Sequence, residues 1–279
     1  MVISSIQNPL VKQFRKLHRP KERHRQGCFL VEGTHLIEEA IAAGWPLLSI
    51  CHTALWQERN ETLWHRLQDV VPRCEVVTDD LMAAIATTVS PEGVVAIAAR
   101  QSIDQTTGSS DTRRADRSTL QLGVALETIQ DPGNVGTIIR SATAGGVDQL
   151  WLSRDSVDVD HPKVLRASAG QWFRLAMTVR SSLYVDLMEA QESGIQVVAT
   201  VPSAPQAYWD VDLSIPTIIV AGNEGAGLSE TILSACDVRA CIPTATHVES
   251  LNVAIAASLV IFEANRQRKF KEFSASEVK

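Results

Sequence analysis

The sequence has no close pair of cysteines that could form a metal clip or a local staple. Its five cysteines, at 28, 51, 74, 236 and 241, are odd in number, widely spaced and free of any C-x-x-C pair. That pattern predicts a reducing, cytoplasmic setting and no zinc site. The seven histidines lack ligand spacing as well, so no metal is expected. Long apolar runs are missing too. The longest, Val253 to Phe262, falls well short of the roughly 20 residues that span a bilayer. The chain also reaches Lys12 and Arg15 before any apolar run that could serve as a signal peptide, so neither a membrane anchor nor export is expected. Bulk positive charge is lacking: 26 Lys and Arg stand against 32 Asp and Glu, a net charge of -6. This excludes nonspecific nucleic-acid binding by overall charge alone.

What is present is a local excess. Lys12, Arg15, Lys16, Arg19, Lys21, Arg23 and Arg25 face one acid, Glu22, giving the first thirty residues a net +6 and leaving -12 elsewhere. On charge alone this stretch is equally a solvated helix face or a contact for nucleic acid or phosphate. At 279 residues and 45% hydrophobic, the chain has material for about two domains. The polar segment from Arg100 to Thr119 reads as a linker, dividing the chain into residues 1–100, a linker at 101–119 and residues 120–279. Before it, strand-like runs (Phe29–Val31, Leu47–Cys51, Glu75–Val77, Val94–Ala98) alternate with helix-period segments (Pro9–Leu17, Leu36–Ala43, Leu63–Val70, Leu81–Ala86). After it, strands are expected near Leu122–Leu126, Gln149–Leu152, Val197–Val201, Thr217–Ala221 and Arg239–Ile242, with helices between them. The fold class is therefore α/β: a small α/β amino-terminal domain, then a domain with a mainly parallel sheet and its ligand site beyond the carboxyl ends of the strands. The last helix, expected from about Ser250 to Arg268, is apolar nearly all round and should be buried, in the core or in a dimer.

Three loops carry more than turn chemistry. The first, Gln130-Asp131-Pro132-Gly133-Asn134-Val135-Gly136 through Arg140, follows a strand, with Asn134 a good helix cap. The second, Gly222-Asn223-Glu224-Gly225-Ala226-Gly227-Leu228-Ser229, puts three glycines after a strand, where the backbone turns sharply or a ligand comes close. It matches neither G-x-G-x-x-G nor G-x-x-x-x-G-K-S/T, which argues against a dinucleotide or P-loop enzyme. The third runs from Ile242-Pro243 through His247 and Glu249 to Ser250-Leu251-Asn252, with Ser250 the expected cap of the last helix and Asn252 a polar amide leading an apolar face. Each loop alone also reads as an ordinary turn or capped helix.

In this order the three loops, N-x-G-x-x-x-R, G-N-E-G-x-G-L-S and I-P…E-S-L-N-V-x-x-A, resemble the SpoU (TrmH-like) RNA 2′-O-ribose methyltransferases of the SPOUT superfamily. Asn8-Pro9-Leu10-Val11-Lys12, Phe29-Leu30-Val31-Glu32-Gly33 and Ser90-Pro91-Glu92-Gly93-Val94 extend the likeness to that family's amino-terminal RNA-binding domain. The resemblance implies a trefoil-knot methyltransferase domain, S-adenosylmethionine as cofactor, a homodimer built partly on the last helix, and RNA as substrate, ribosomal RNA before transfer RNA. It assigns Thr200, Gly222, Ile242 and Leu251 to the cofactor, and Arg140, Asn134, Glu224, Ser250 and Asn252 to catalysis. The basic residues Lys12, Arg15, Lys16, Arg19, Arg23 and Arg25, with Arg166 of the segment Lys163–Gly170, would meet RNA. Methyl transfer from a sulfonium needs alignment and removal of one proton, with no metal or covalent nucleophile. A guanidinium is a poor base in water, so Arg140 is either an unusual base or an electrostatic stabiliser of the developing alkoxide. Two rivals remain: a noncatalytic RNA-binding or ribosome-assembly protein, and a dinucleotide enzyme using the Gly222–Gly227 loop. Trp45, Trp56 and Trp64 read as packing rather than as stacking platforms for bases.

Overall fold

The computed structural model describes residues 2–100 and 120–276, with side chains in the last helix as far as Lys269. The linker expected at 101–119 lies outside the described residues. In chain order the elements are α1 Pro9–Lys16, α2 Pro20–Gln26, β1 Cys28–Glu32, α3 Thr34–Ala42, β2 Leu47–His52, α4 Ala54–Arg59, α5 Glu61–Val70, β3 Cys74–Val76, α6 Asp79–Ile85 and β4 Val94–Ala99. There follow β5 Leu122–Leu126, α7 Pro132–Ala144, β6 Gln149–Ser153, α8 Pro162–Ala167, β7 Ala176–Arg180, α9 Leu183–Glu192, β8 Gln196–Thr200, β9 Gln206–Ala207, β10 Thr217–Ala221, α10 Glu230–Ser234, β11 Val238–Cys241 and α11 Val253–Ser276. Contacts divide the described residues into two compact units, one falling within Met1–Ser102 and Asp158–Arg174, the other within Ile103–Val157 and Leu175–Lys279. The first unit is therefore discontinuous in sequence.

The first unit is a four-stranded sheet in the order β1-β4-β2-β3, in which β4 runs antiparallel to both neighbours and β3 lies parallel to β2. Leu10, Val11, Phe14 and Leu17 recur at helical spacing and bury one face of α1 against Leu81, Met82 and Ile85 of α6 and the sheet. Every tryptophan expected to pack does so: Trp45, Trp56 and Trp64 are 7%, 3% and 8% exposed. Trp45 meets Trp172 edge-on, with ring centroids 4.9 Å apart.

The second unit is a seven-stranded parallel sheet, order β7-β6-β5-β10-β8-β11-β9. β5 (LGVAL) and β10 (TIIVA) are buried along their whole length, as central parallel strands covered on both faces should be. α11 packs along α7: Ser258 and Ser141 share a hydroxyl–hydroxyl hydrogen bond of 2.7 Å, and Asn265 donates to the Gly145 carbonyl at 2.9 Å. Gly145 must lack a side chain there, because a Cβ would come within 2.2 Å of Ile261. Two expectations about this helix are corrected. It begins at Val253, not Ser250, and it is not apolar-buried all round. Val253, Ala257, Val260, Ile261 and Ala264 face inward, whereas Ile255, Leu259 and Phe262 are 54%, 38% and 49% exposed.

Candidate active site

The chain leaves β5 for β6 and β7 on one side of the sheet and returns through β8 to β10 on the other. The loops after β5 and β10 are thus neighbours at a reversal of strand order, where parallel α/β sheets open a crevice. The Glu127 amide donates to the Ala221 carbonyl at 2.9 Å and ties the two loops at their base.

The first loop ends in α7, whose cap is Asp131 rather than the expected Asn134. Pro132 fixes the first helical φ, and the Asp131 carboxylate accepts from the Gly133 and Asn134 amides at 2.6 and 3.1 Å. Released from capping, the Asn134 side chain donates through Nδ2 to Glu224 Oε1 and accepts through Oδ1 from Asn252 Nδ2, both at 2.9 Å. Asn252, not Ser250, caps α11: its Oδ1 accepts from the Ala254 and Ile255 amides at 2.9 and 3.3 Å. One amide side chain therefore starts a helix and closes a three-residue chain, Glu224–Asn134–Asn252, drawn from three loops.

Glu224 also accepts from the amides of Gln130 and Asp131 at 3.3 and 3.1 Å. Partial burial opposes its charge, but the bond from Asn134 and the backbone donors outweigh that and hold the carboxyl below its usual range. An ionised, hydrogen-bonded carboxylate of this kind is a poor proton acceptor and a good anchor. The loop that carries it is rigidly built. Asn223 donates to the Thr128 carbonyl at 2.8 Å and accepts from the Gly225 and Ala226 amides, each at 2.9 Å. Gly222 is required, since a Cβ there would lie 2.4 Å from the Gly227 backbone.

Beside this chain opens a cavity of about 290 Å³. Thr200, Gly222, Ile242 and Leu251, four residues scattered along the sequence, come together on its wall, with Glu224 and Ser250 at the same cleft. The Thr200 hydroxyl is buried and lacks a hydrogen-bond partner among the described residues. The cleft mixes glycine backbone and apolar side chains with Thr200, Asn223, Glu224, Thr244, Glu249 and Ser250, and so fits a ligand with an apolar body and several polar or cationic atoms, one of them within reach of the orphaned hydroxyl.

Residues 121–262 match the SpoU rRNA Methylase family model, half of the chain. The chain belongs to the SpoU rRNA methylase family. Residues 8–96 of this SpoU-family chain match the MRM3-like substrate binding domain. An uncharacterised tRNA/rRNA methyltransferase of Synechocystis is 45% identical over 95% of this chain and 94% of its own length. The Bacillus subtilis 23S rRNA (guanosine(2553)-2′-O)-methyltransferase RlmP is 30% identical, over 93% of this chain and 97% of its own. Among solved structures, the SpoU methyltransferase AviRb of Streptomyces viridochromogenes in complex with AdoMet aligns with a TM-score of 0.80 at 30% identity, covering 94% of this chain and 100% of that one.

Not every residue singled out in this SpoU-family sequence joins the group. Arg140 lies six residues beyond Asn134 on α7, about 9 Å further along the helix axis, exposed and without an ion pair among the described residues. Of the basic residues in the first unit, Lys12, Arg15, Lys16 and Arg19 are exposed. Arg25 is exposed but bonded to Glu22 at 2.6 Å. Arg23 is a correction: it is fully buried, with Nε 2.6 Å from Asp160, a terminal nitrogen 2.8 Å from Asp158, and further bonds to the Leu17 and His18 carbonyls. No RNA phosphate can reach it. Arg166 is half-buried and donates to Thr87 Oγ1 at 2.7 Å and to Glu32 at 3.3 Å.

Sequence reasoning missed Thr128. It adopts φ 55°, a left-handed conformation rare for a β-branched residue. Bonds from its amide to Ser153 Oγ (2.8 Å) and from its hydroxyl to Asp155 (2.7 Å) hold it there, two residues before the amides that serve Glu224. No local pattern marks a threonine for that role.

Proposed function

We propose that the protein transfers the methyl group of S-adenosylmethionine to a ribose 2′-hydroxyl of ribosomal RNA. The observation that carries this reading is the Glu224–Asn134–Asn252 chain at the edge of the glycine-walled cleft, in a member of the SpoU family. Relatives of nearly the same length are named as 23S rRNA 2′-O-methyltransferases, which favours ribosomal over transfer RNA. When bound, S-adenosylmethionine supplies an activated, electrophilic methyl group.

Thr200, Gly222, Ile242 and Leu251 would hold that cofactor, with the orphaned Thr200 hydroxyl finding its partner there. Asn134 and Asn252 orient the ribose, with Asn134 fixed in turn by ionised Glu224, and Ser250 shapes the cleft wall. Arg140 meets the 2′-oxygen or the adjoining phosphate. A guanidinium keeps its proton at neutral pH, which favours stabilisation of the developing alkoxide over base catalysis. The protein works as a homodimer. Ile255, Leu259 and Phe262 form an apolar stripe at i, i+4 and i+7 on α11, and a second copy covers it. Its substrate places it in the cytoplasm, and no helix among the described residues is long and apolar enough to cross a membrane.

The test is to incubate the purified protein and methyl-labelled S-adenosylmethionine with total RNA from a strain lacking it, then to fractionate by size and analyse nucleosides. A 2′-O-methylated nucleoside in the ribosomal fraction is expected. Label in transfer RNA overturns the choice of substrate, and absence of both label and cofactor binding overturns the enzyme.

A further inference from the structure

The first unit carries seven large aromatic side chains, Phe14, Phe29, Trp45, Trp56, Trp64, Trp172 and Phe173, and every one is buried, at 8% exposure or less. Among the described residues it therefore offers no exposed phenyl or indole face for an unstacked base, and its exposed rings are the small imidazoles of His24, His35 and His65. Stacking on aromatic faces is the usual means of holding single-stranded RNA. What the unit does offer is fixed positive charge in a particular relief. Lys12, Arg15 and Lys16 share the exposed face of α1 at i, i+3 and i+4, opposite the buried Leu10, Val11 and Phe14, and Arg19 follows in the turn between α1 and α2. None of the four is engaged in an ion pair among the described residues, in contrast to Arg23, Arg25 and Arg166.

Two shallow grooves flank this stripe. One is bounded by Arg15, His18, Arg19 and Ala84, the other by Gln7, Gln13, Arg25 and Gln26, and Lys12 and Lys16 border both. Among the described residues no carboxylate lines either groove; the nearby Glu22 is bonded to Arg25 and Gln26. α1 is thus a cationic ridge, about 12 Å long from its eight residues, between two concavities that share its lysines.

We infer that this ridge docks on a double-helical segment of the RNA, lying along the wide, shallow minor groove of an A-form stem with one strand's phosphates in each flanking groove. The inference rests on the reading of the protein as an RNA methyltransferase and adds to it the form of RNA its first unit holds. Such contacts position the substrate without reading its sequence. The choice of nucleotide then falls to the second unit.

The experiment measures binding of the full-length protein to three labelled probes of equal length: a 16-base-pair RNA duplex, an unstructured RNA strand and a DNA duplex of the same sequence. Each is titrated over a range of salt. The RNA duplex is expected to bind at least about tenfold more tightly than the single strand, with a salt slope near -0.9 for each phosphate contacted. Lys12→Gln with Lys16→Gln, and separately Arg15→Gln with Arg19→Gln, should each lower duplex affinity about tenfold and reduce the slope by about two. Duplexes of unrelated sequence should be affected alike. Unchanged thermal unfolding of these variants is expected, because the four side chains have no bonding partner among the described residues. Equal or tighter binding of the single strand overturns the inference, as does a fourfold variant that keeps wild-type duplex affinity. Calorimetry with S-adenosylmethionine and methyl transfer to ribosomal RNA report separately on the enzymatic reading. Duplex binding that behaves as expected while both of those fail would sink the proposed reaction and leave the docking surface standing.

Discussion

Asn134→Asp is the most informative single change at the site, because it preserves shape and reverses one polarity. The amide nitrogen 2.9 Å from Glu224 becomes an oxygen. Two unit charges about 4 Å apart repel by about 4 kcal/mol at an effective dielectric near 20 and about 1 kcal/mol in bulk water. Glu224 is open to solvent and Asn134 partly so, which puts the repulsion near 2 kcal/mol, a factor of about 30 in rate if the pair must be in register for methyl transfer. The hydrogen bond that now helps hold the Glu224 carboxyl below its usual value would turn into a force raising the pair. At neutral pH, kcat/KM should therefore fall about thirtyfold and recover as the pH drops towards the carboxylate range, where a shared proton restores a donor between the two groups. Adding Glu224→Gln supplies a donor from the other side, so the double variant should be more active at neutral pH than Asn134→Asp alone. Steady-state label incorporation across pH, with cofactor affinity followed by calorimetry, reads all three proteins. A single variant with the wild-type rate and a flat pH profile would refute the reasoning.

Arg140→Ala should nearly abolish methyl transfer while cofactor affinity survives, since the arginine bonds to nothing that shapes the cleft; full activity in a transfer assay would remove it from the mechanism. Gly222→Ala places a methyl group 2.4 Å from the Gly227 backbone, so the loop must shift at a cost of about 1–3 kcal/mol, and calorimetry should show cofactor binding weakened at least about fivefold. Arg23→Met leaves two carboxylates without their main partner and should destabilise the first unit by about 3–5 kcal/mol in denaturant melts, against little change for Arg25→Met. Burial opposes charge on Glu32, but bonds from the amides and hydroxyls of Thr87 and Thr88, with Arg166, outweigh it and depress its pKa below 4.5. Its contribution is thus complete above about 4.5 and lost as the pH falls through the depressed value; acid titrations of wild type and Glu32→Gln should diverge above that range and converge below it.

The elements that proved legible are those whose burial is recorded locally. β5 and β10 are continuous apolar runs, and α1 shows its core face at helical spacing, so composition alone located them. β7, with sequence AMTVR and every residue half-buried, carries neither an apolar run nor a clean alternation, and β9 is two residues long. α2 has the sequence PKERHRQ, with no apolar stripe to announce it. Its one buried side chain is Arg23, whose carboxylate partners lie 135 and 137 residues away. Charge patterning placed Arg23 on the surface because a lone cation in a basic stretch is ordinarily solvated, and only tertiary structure could bring it two acids.

The same distinction separates what motif order revealed at the site from what it could not. The order of the three loops pointed to Asn134, Glu224 and Asn252 as site residues, whereas residue type within each loop put the helix caps at Asn134 and Ser250. Pro132 moved the cap of α7 back to Asp131, and α11 starts late enough for Asn252 to cap it. These shifts have a functional consequence. A capping Asn134 would have spent its side-chain oxygen on its own helix, leaving Asn252 without an acceptor and the link to Glu224 unsupported. Because the caps lie three and two residues from where local propensity alone would put them, the amide of Asn134 is available to Glu224 on one side and Asn252 on the other. The chain Glu224–Asn134–Asn252 exists because the capping work is done elsewhere.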